Sequence, residues 1–185
     1  MHVNRLMLPF LLAGLLFTVA VIAAPFILET HTVDDISGAA WQIDNAGAWD
    51  EMPMLPRLAY YAGDVVCHQK QERSYTLNGN QMPVCARDIG VLVGLTGGFA
   101  LALAAVPAAT FQGTFWAMLP FVRGRLAIAA VLAVLLVPLP LDGFLQLLTG
   151  YESVNPVRTI TGLLFGFGVA LLASLFLLTD PRRHR

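Results

Sequence analysis

Residues 155–179 read NPVRTITGLLFGFGVALLASLFLLT and carry a single charged side chain, Arg158. An asparagine cap with proline at the first helical position is a helix start. At ~1.5 Å per residue the apolar run behind it is long enough to cross a hydrocarbon core of roughly 30 Å, so a transmembrane helix is predicted over 156–179. Gly162, Gly166, Ala170 and Ser174 recur at every fourth position, and small residues at that spacing let a second helix backbone approach closely. The same stripe, Gly90, Gly94, Gly98 and Ala102, lies further back in the chain.

Working outward, that second stripe falls within an apolar segment over 89–109. Two more such segments cover 6–28, with Pro9 and Pro25 near its ends, and 126–148, where VLAVLLVPLPLDGFLQLL runs to a stop near Gly150. With 57% hydrophobic and 12% charged residues the chain of 185 residues has too little polar surface to cover a soluble globule. A net charge of -1 and the lack of a basic stripe exclude nucleic acid as a partner. The fold class expected is all-α: a single integral membrane domain, 1–185, forming a bundle of four transmembrane helices, with a small exterior loop subdomain over 29–88. The turn TGYESVN makes the last two spans an antiparallel hairpin.

Cations set the orientation. Arg5 precedes the first span, Arg123 and Arg125 lie between the second and third, and Arg182, Arg183 and Arg185 follow the fourth, which puts both termini in the cytoplasm of a multi-pass cell-membrane protein. The loop 29–88 and the turn at Glu152 are then extracytoplasmic. Arg57, Lys70, Arg73 and Arg87 are exterior cations under this reading, which long translocated loops tolerate. A signal peptide cleaved after Ala23-Ala24 is the alternative for the first segment, although its apolar run exceeds the usual 7–15 residues.

In the exterior loop, Trp41 and Trp49 fit either a segment along the headgroups or two core tryptophans. Pro56 opens a predicted helix through Cys67. The run SYTL-NG-NQMPV predicts a β-hairpin, since Asn78-Gly79 supplies the two positive-φ positions of a type I′ turn. That hairpin carries Cys85 back toward Cys67.

Two constellations of candidate functional residues result. Cys67, His68, Cys85 and Asp88 admit a Cys67–Cys85 disulfide, a metal site with zinc as the expected ion, or, as a minor reading, thiol–disulfide exchange. Arg87 and Arg158 each stand just ahead of a stripe glycine. If the striped helices pack in parallel, two helix N-termini and two guanidinium groups converge and favour an anion. Arg87, Arg158, Gln146 and Arg73 form the expected anion- or headgroup-binding set, with Asp142, Glu152 and Asp88 as protein carboxylates that could answer it. An Asp142–Arg158 ion pair is the simplest structural account of those charges.

CHQ with RS following, PVCAR with a glycine beyond it, LDGFLQ, and ES-x-N-x-x-R-x-x-TG together resemble the uncharacterised prokaryotic membrane proteins known as domain of unknown function 2085, from about Cys67 to Gly162. The resemblance implies a multi-pass membrane protein without an assigned activity. The chain departs from the family's C-x-R-C-T-G pattern, with Asp88 in place of the second cysteine and Ile89 in place of the threonine. Two functions remain open. One is a binding or assembly protein embedded in the lipid bilayer, with an exterior polar site for a metal ion or anionic headgroup, partnered by anionic lipid or another membrane subunit. The other is a membrane enzyme acting on a lipid-linked or small anionic substrate, with His68 as general base and Asp142 or Glu152 as its acid partner.

Overall fold

The structure is a computed structural model and describes residues 4–180. Eight helices and one two-stranded antiparallel sheet are described: α1 Leu8–Ile27, α2 Ala46–Asp50, α3 Met54–Val66, β1 Ser74–Leu77, β2 Asn80–Cys85, α4 Ala86–Leu103, α5 Phe111–Met118, α6 Arg125–Leu136, α7 Pro138–Leu148 and α8 Asn155–Leu178. Three of them, α1, α4 and α8, are long and apolar enough by themselves to cross a membrane. The segment expected as one straight span over 126–148 is instead two helices, α6 and α7, bent by 44°. Pro138 and Pro140 account for the break, because proline lacks the N–H that would bond one turn back and its ring crowds that turn's carbonyl. Among the described residues the candidate spans therefore number three, or four if the bent pair is one span.

The centre of the molecule is the α4–α8 pair, which lie parallel. A Cβ at Gly90 would stand 2.2 Å from the Thr159 carbonyl oxygen, one at Gly94 2.2 Å from that of Leu163, one at Gly162 2.2 Å from that of Arg87 and one at Gly166 2.2 Å from that of Val91. Backbone therefore meets backbone along both stripes, which only glycine permits. Helix α1 packs on α4, where Thr18 and Thr96 hydroxyls meet at 3.4 Å, and α6 and α7 lie against α8. Exposed Leu16, Leu126, Phe144, Leu147 and Phe176 face outward, as lipid-facing side chains do. An apolar cluster of Met7, Ala102, Phe115, Met118, Leu171 and Leu175 fills the far end of the bundle. Helix α4 stops at Leu103, short of the expected 109, with Pro107 in the segment that follows. The short helix α5 beyond it was not expected.

The other end carries the loop subdomain. Asn78 and Gly79 take φ of 52° and 71° and close the expected hairpin, with Leu77 opposite Asn80 and Thr76 opposite Gln81. Helix α3 begins two residues before Pro56. Trp49 is fully buried, stacked on Tyr60 at 5.0 Å, and donates its indole N–H to Asp64 at 2.9 Å, whereas Trp41 is 82% exposed. Of the two tryptophans, Trp49 alone is a core residue. Buried Asn80 accepts from Thr32 N and Val33 N at 2.8 and 3.0 Å and donates to Pro25 O and Glu29 O at 3.0 and 2.9 Å. One amide so fastens the hairpin to the end of α1, and losing it would leave several buried backbone groups unpaired.

Candidate anion and metal site

Strand β2 runs straight into α4, so Cys85 is at once the last strand residue and the N-cap of the helix. Asp88 and Arg87 are in the first turn behind it. Cys67 follows α3 as its C-cap and is buried beneath the hairpin with Val21, Met82, Val84 and Ile89. The hairpin is tied to the start of α8 as well: Asn155 donates to Ser74 O at 3.2 Å, and the Tyr75 hydroxyl meets that of Thr159 at 2.9 Å. These connections bring the loop and two helix N-termini to one place.

A cavity of about 310 Å³ opens there, and its walls include Cys67, His68, Gln69, Lys70, Arg73, Cys85, Arg87, Asp88 and Arg158. Residues of both constellations line this one cavity. Among the described residues lining it, Lys70, Arg73, Arg87 and Arg158 face a single carboxylate, Asp88. The Nε–H groups of Arg73, Arg87 and Arg158 are buried without a hydrogen-bond acceptor, and Glu72 approaches Arg73 only to 3.7 Å. Buried donors in that condition are costly unless a group outside the protein answers them.

The sulfur chemistry is ordered. Cys67 Sγ accepts from Cys85 N at 3.2 Å and Gln69 N at 3.4 Å, while the Cys85 thiol lies 3.1 Å from Asp88 Oδ2. One ligand atom each from Cys67, Cys85 and Asp88 falls within 4.8 Å of the others. Both cysteines are free thiols, which corrects the disulfide reading: one sulfur is turned to backbone amides and the other to a carboxylate. The neighbouring Cys85 side chain, then burial and the charges of Cys85 and Asp88, push the Cys67 thiol well above its ordinary value. The two N–H donors act in the opposite sense, and are outweighed as long as no cation is present.

Behind the cavity wall a polar relay links the helices. Arg87 Nη2 forms an ion pair with Asp142 Oδ2. Gln146, one turn along α7, donates to that same carboxylate at 2.9 Å and accepts from Arg158 Nη2 at 3.3 Å. Arg158 also donates to Asn155 Oδ1 at 3.2 Å, and the Tyr151 hydroxyl reaches Asp142 Oδ1 at 3.4 Å. The expected Asp142–Arg158 pair is therefore corrected. Asp142 pairs with Arg87, and Arg158 reaches it only through the Gln146 amide.

His68 is an exposed residue on the cavity wall, and its Nδ1 accepts the Ala40 N–H at 3.2 Å. Its imidazole is thus oriented by backbone and not by Asp142 or Glu152. Glu152 is exposed and is not among the residues lining the cavity. Gln69, fully buried with its Oε1 unpartnered, was not anticipated as a wall residue; the only signal for it was its place beside Cys67 and His68.

A family model described as a predicted membrane protein, DUF2085, matches residues 67–172. That interval runs from Cys67 in the cavity wall into the stripe of α8, past Ala170. An uncharacterized protein of Methanothermobacter thermautotrophicus is 32% identical over 110 residues, 60% of this chain and 86% of the relative. Another, from Methanocaldococcus jannaschii, is 30% identical over 114 residues, 60% of this chain and 62% of the relative. No solved structure matches the chain.

Proposed function

The chain belongs to the DUF2085 family of predicted membrane proteins, and from that premise we propose that it is a binding protein whose polar cavity holds the phosphate of an anionic lipid headgroup. The observation that carries this reading is the convergence of Lys70, Arg73, Arg87 and Arg158 on one cavity at the start of α4 and α8. Guanidinium forks match phosphate geometry, and two helix N-termini add unpaired N–H groups and positive dipole ends. Clusters of charge at a membrane boundary attract anionic lipid for the same reason. In native mass spectrometry of the detergent-purified protein, phosphatidylglycerol should be retained in preference to phosphatidylcholine. Arg158→Ala should weaken that retention at least ~10-fold, the effect of losing about 1.4 kcal/mol of charge-assisted hydrogen bonding. Arg73→Gln, at a half-exposed position, tests the same point without touching the helix contact. Equal retention of both lipids by the parent protein would reject the reading.

In the membrane, α6 and α7 together serve as one bent span, giving four crossings with both termini cytoplasmic and the cavity on the extracytoplasmic face. The exposed tip at Glu51 offers the test. Glu51→Cys should take up one more equivalent of a membrane-impermeant maleimide than the parent in intact cells. Gain of that label only after lysis would invert the topology. The described residues include Arg5, Arg123 and Arg125 of the orienting cations, whereas Arg182, Arg183 and Arg185 lie outside them.

A further inference from the structure

We infer that Cys67, Cys85 and Asp88 bind a zinc-class divalent ion with three protein ligands, leaving a fourth position open to the arginine-lined cavity, where a phosphate oxygen completes the coordination. The fourth ligand rests on the anion-binding reading above; the three-ligand set stands on its own geometry. Zinc bonds of roughly 2.0–2.3 Å in a tetrahedron place ligand atoms about 3.3–3.8 Å apart. The three candidate atoms already lie within 4.8 Å of one another, and Cys85 Sγ is 3.1 Å from Asp88 Oδ2, so small side-chain rotations bring them to an ion.

Three further features agree. The amides of Gln69 and Cys85 point at Cys67 Sγ, the kind of outer hydrogen bond that fixes a metal-bound thiolate. Cys85 and Asp88 sit at the N-cap and first turn of α4, where the helix favours negative ligands. Two thiolates with a carboxylate suit a borderline-soft ion and not calcium or magnesium, which take oxygen ligands. Binding one divalent ion replaces the two thiol protons, which leave to solvent. The ligand set then exceeds the ion's charge by one, and Lys70, Arg73, Arg87 and Arg158 offset that excess while drawing an anion to the open position.

His68 is adjacent in sequence to a ligand, and its Nδ1 is occupied by Ala40 N–H. It falls outside the three-ligand group, so the vacant coordination position belongs to an exogenous oxygen. Structural zinc sites are closed by four protein ligands, and a site with three is one that binds or activates something else.

The test uses the full chain, purified with a tag free of histidine and without chelator, and loaded with Zn2+ or Co2+ alone. One zinc per chain is expected by elemental analysis, falling below a tenth of that in Cys85→Ser and Asp88→Ala and unchanged in His68→Ala. The Co2+ form of the parent should show sulfur-to-cobalt charge transfer and four-coordinate visible bands, which need no variant to be read. Inorganic phosphate and dihexanoyl phosphatidic acid should each be tried against those bands. A shift with both marks the phosphate group as the ligand, and a shift with the lipid alone assigns it to a headgroup. Absence of stoichiometric metal, thiols bridged in the purified parent, or zinc lost in His68→Ala overturns the inference. Bound metal whose spectrum neither probe moves overturns the open position, while selective lipid retention by metal-free protein would leave the anion-binding reading standing.

Discussion

Gly162→Leu is expected to abolish the folded bundle or lower its unfolding midpoint by far more than any substitution on the lipid-facing side. At this position even a methyl group would stand 2.2 Å from the Arg87 carbonyl oxygen and 3.1 Å from Val91 N. The obstacle is backbone on a facing helix, so no rotamer change relieves it, and α4 and α8 must separate. Overpacking that side chains can absorb costs about 1–3 kcal/mol; here the loss should exceed that range, because the whole stripe from Gly90 to Gly166 opens with it. Gly143→Leu on α7 is the matched control, since nothing stands within 4 Å of its added Cβ, and it should be neutral or gain up to ~1 kcal/mol from helix propensity. Thermal unfolding in detergent by fluorescence, with size-exclusion profiles, separates the two. Comparable midpoints for Gly162→Leu and the parent would refute the close contact.

The four-residue stripes were legible in the sequence because a backbone contact of this kind tolerates only the smallest residues, and composition records that directly. Asn78-Gly79 was legible for a similar reason: a turn with two positive φ values restricts its occupants. The break between α6 and α7 was less so. Pro138 and Pro140 are visible in the chain, but apolar residues continue past them, and hydropathy does not distinguish a straight helix from a bent one. The simplest account paired Asp142 with Arg158, whereas the direct partner is Arg87 and Arg158 joins through Gln146. Which arginine lies close depends on helix rotation, and α7 turns Asp142 toward Arg87 of α4. That residues of both candidate sets line one cavity was partly legible, because the hairpin returns Cys85 to the start of α4. Cys85 caps α4, so whatever it binds necessarily lies within a turn of Arg87.

Arg87→Ala is expected to destabilise the protein by roughly 3 kcal/mol, and Asp142→Asn added to it should restore part of that loss. Asp142 is only 6% exposed, and removing its cation leaves a buried carboxylate held by Gln146 and the Tyr151 hydroxyl alone. Breaking a buried pair from one side costs about 3–5 kcal/mol, mostly as the penalty of the charge left behind. Arg87 keeps some solvent access, which puts the estimate at the lower end. Neutralising Asp142 removes that penalty, so the two substitutions should be strongly non-additive in a double-mutant cycle. Arg158 and Asp142 should couple more weakly, because Gln146 stands between them with its Nε2 on the carboxylate and its Oε1 on the guanidinium. In a Gln146→Leu background that weaker coupling should vanish while the Arg87–Asp142 coupling persists. Chemical denaturation of both double-mutant cycles, which share the parent and Asp142→Asn, in each background measures both terms. Additive effects of Arg87→Ala and Asp142→Asn would dismiss the ion pair as the link between α4 and α7, and an Arg158 coupling that survives Gln146→Leu would dismiss the amide as the relay between α7 and α8.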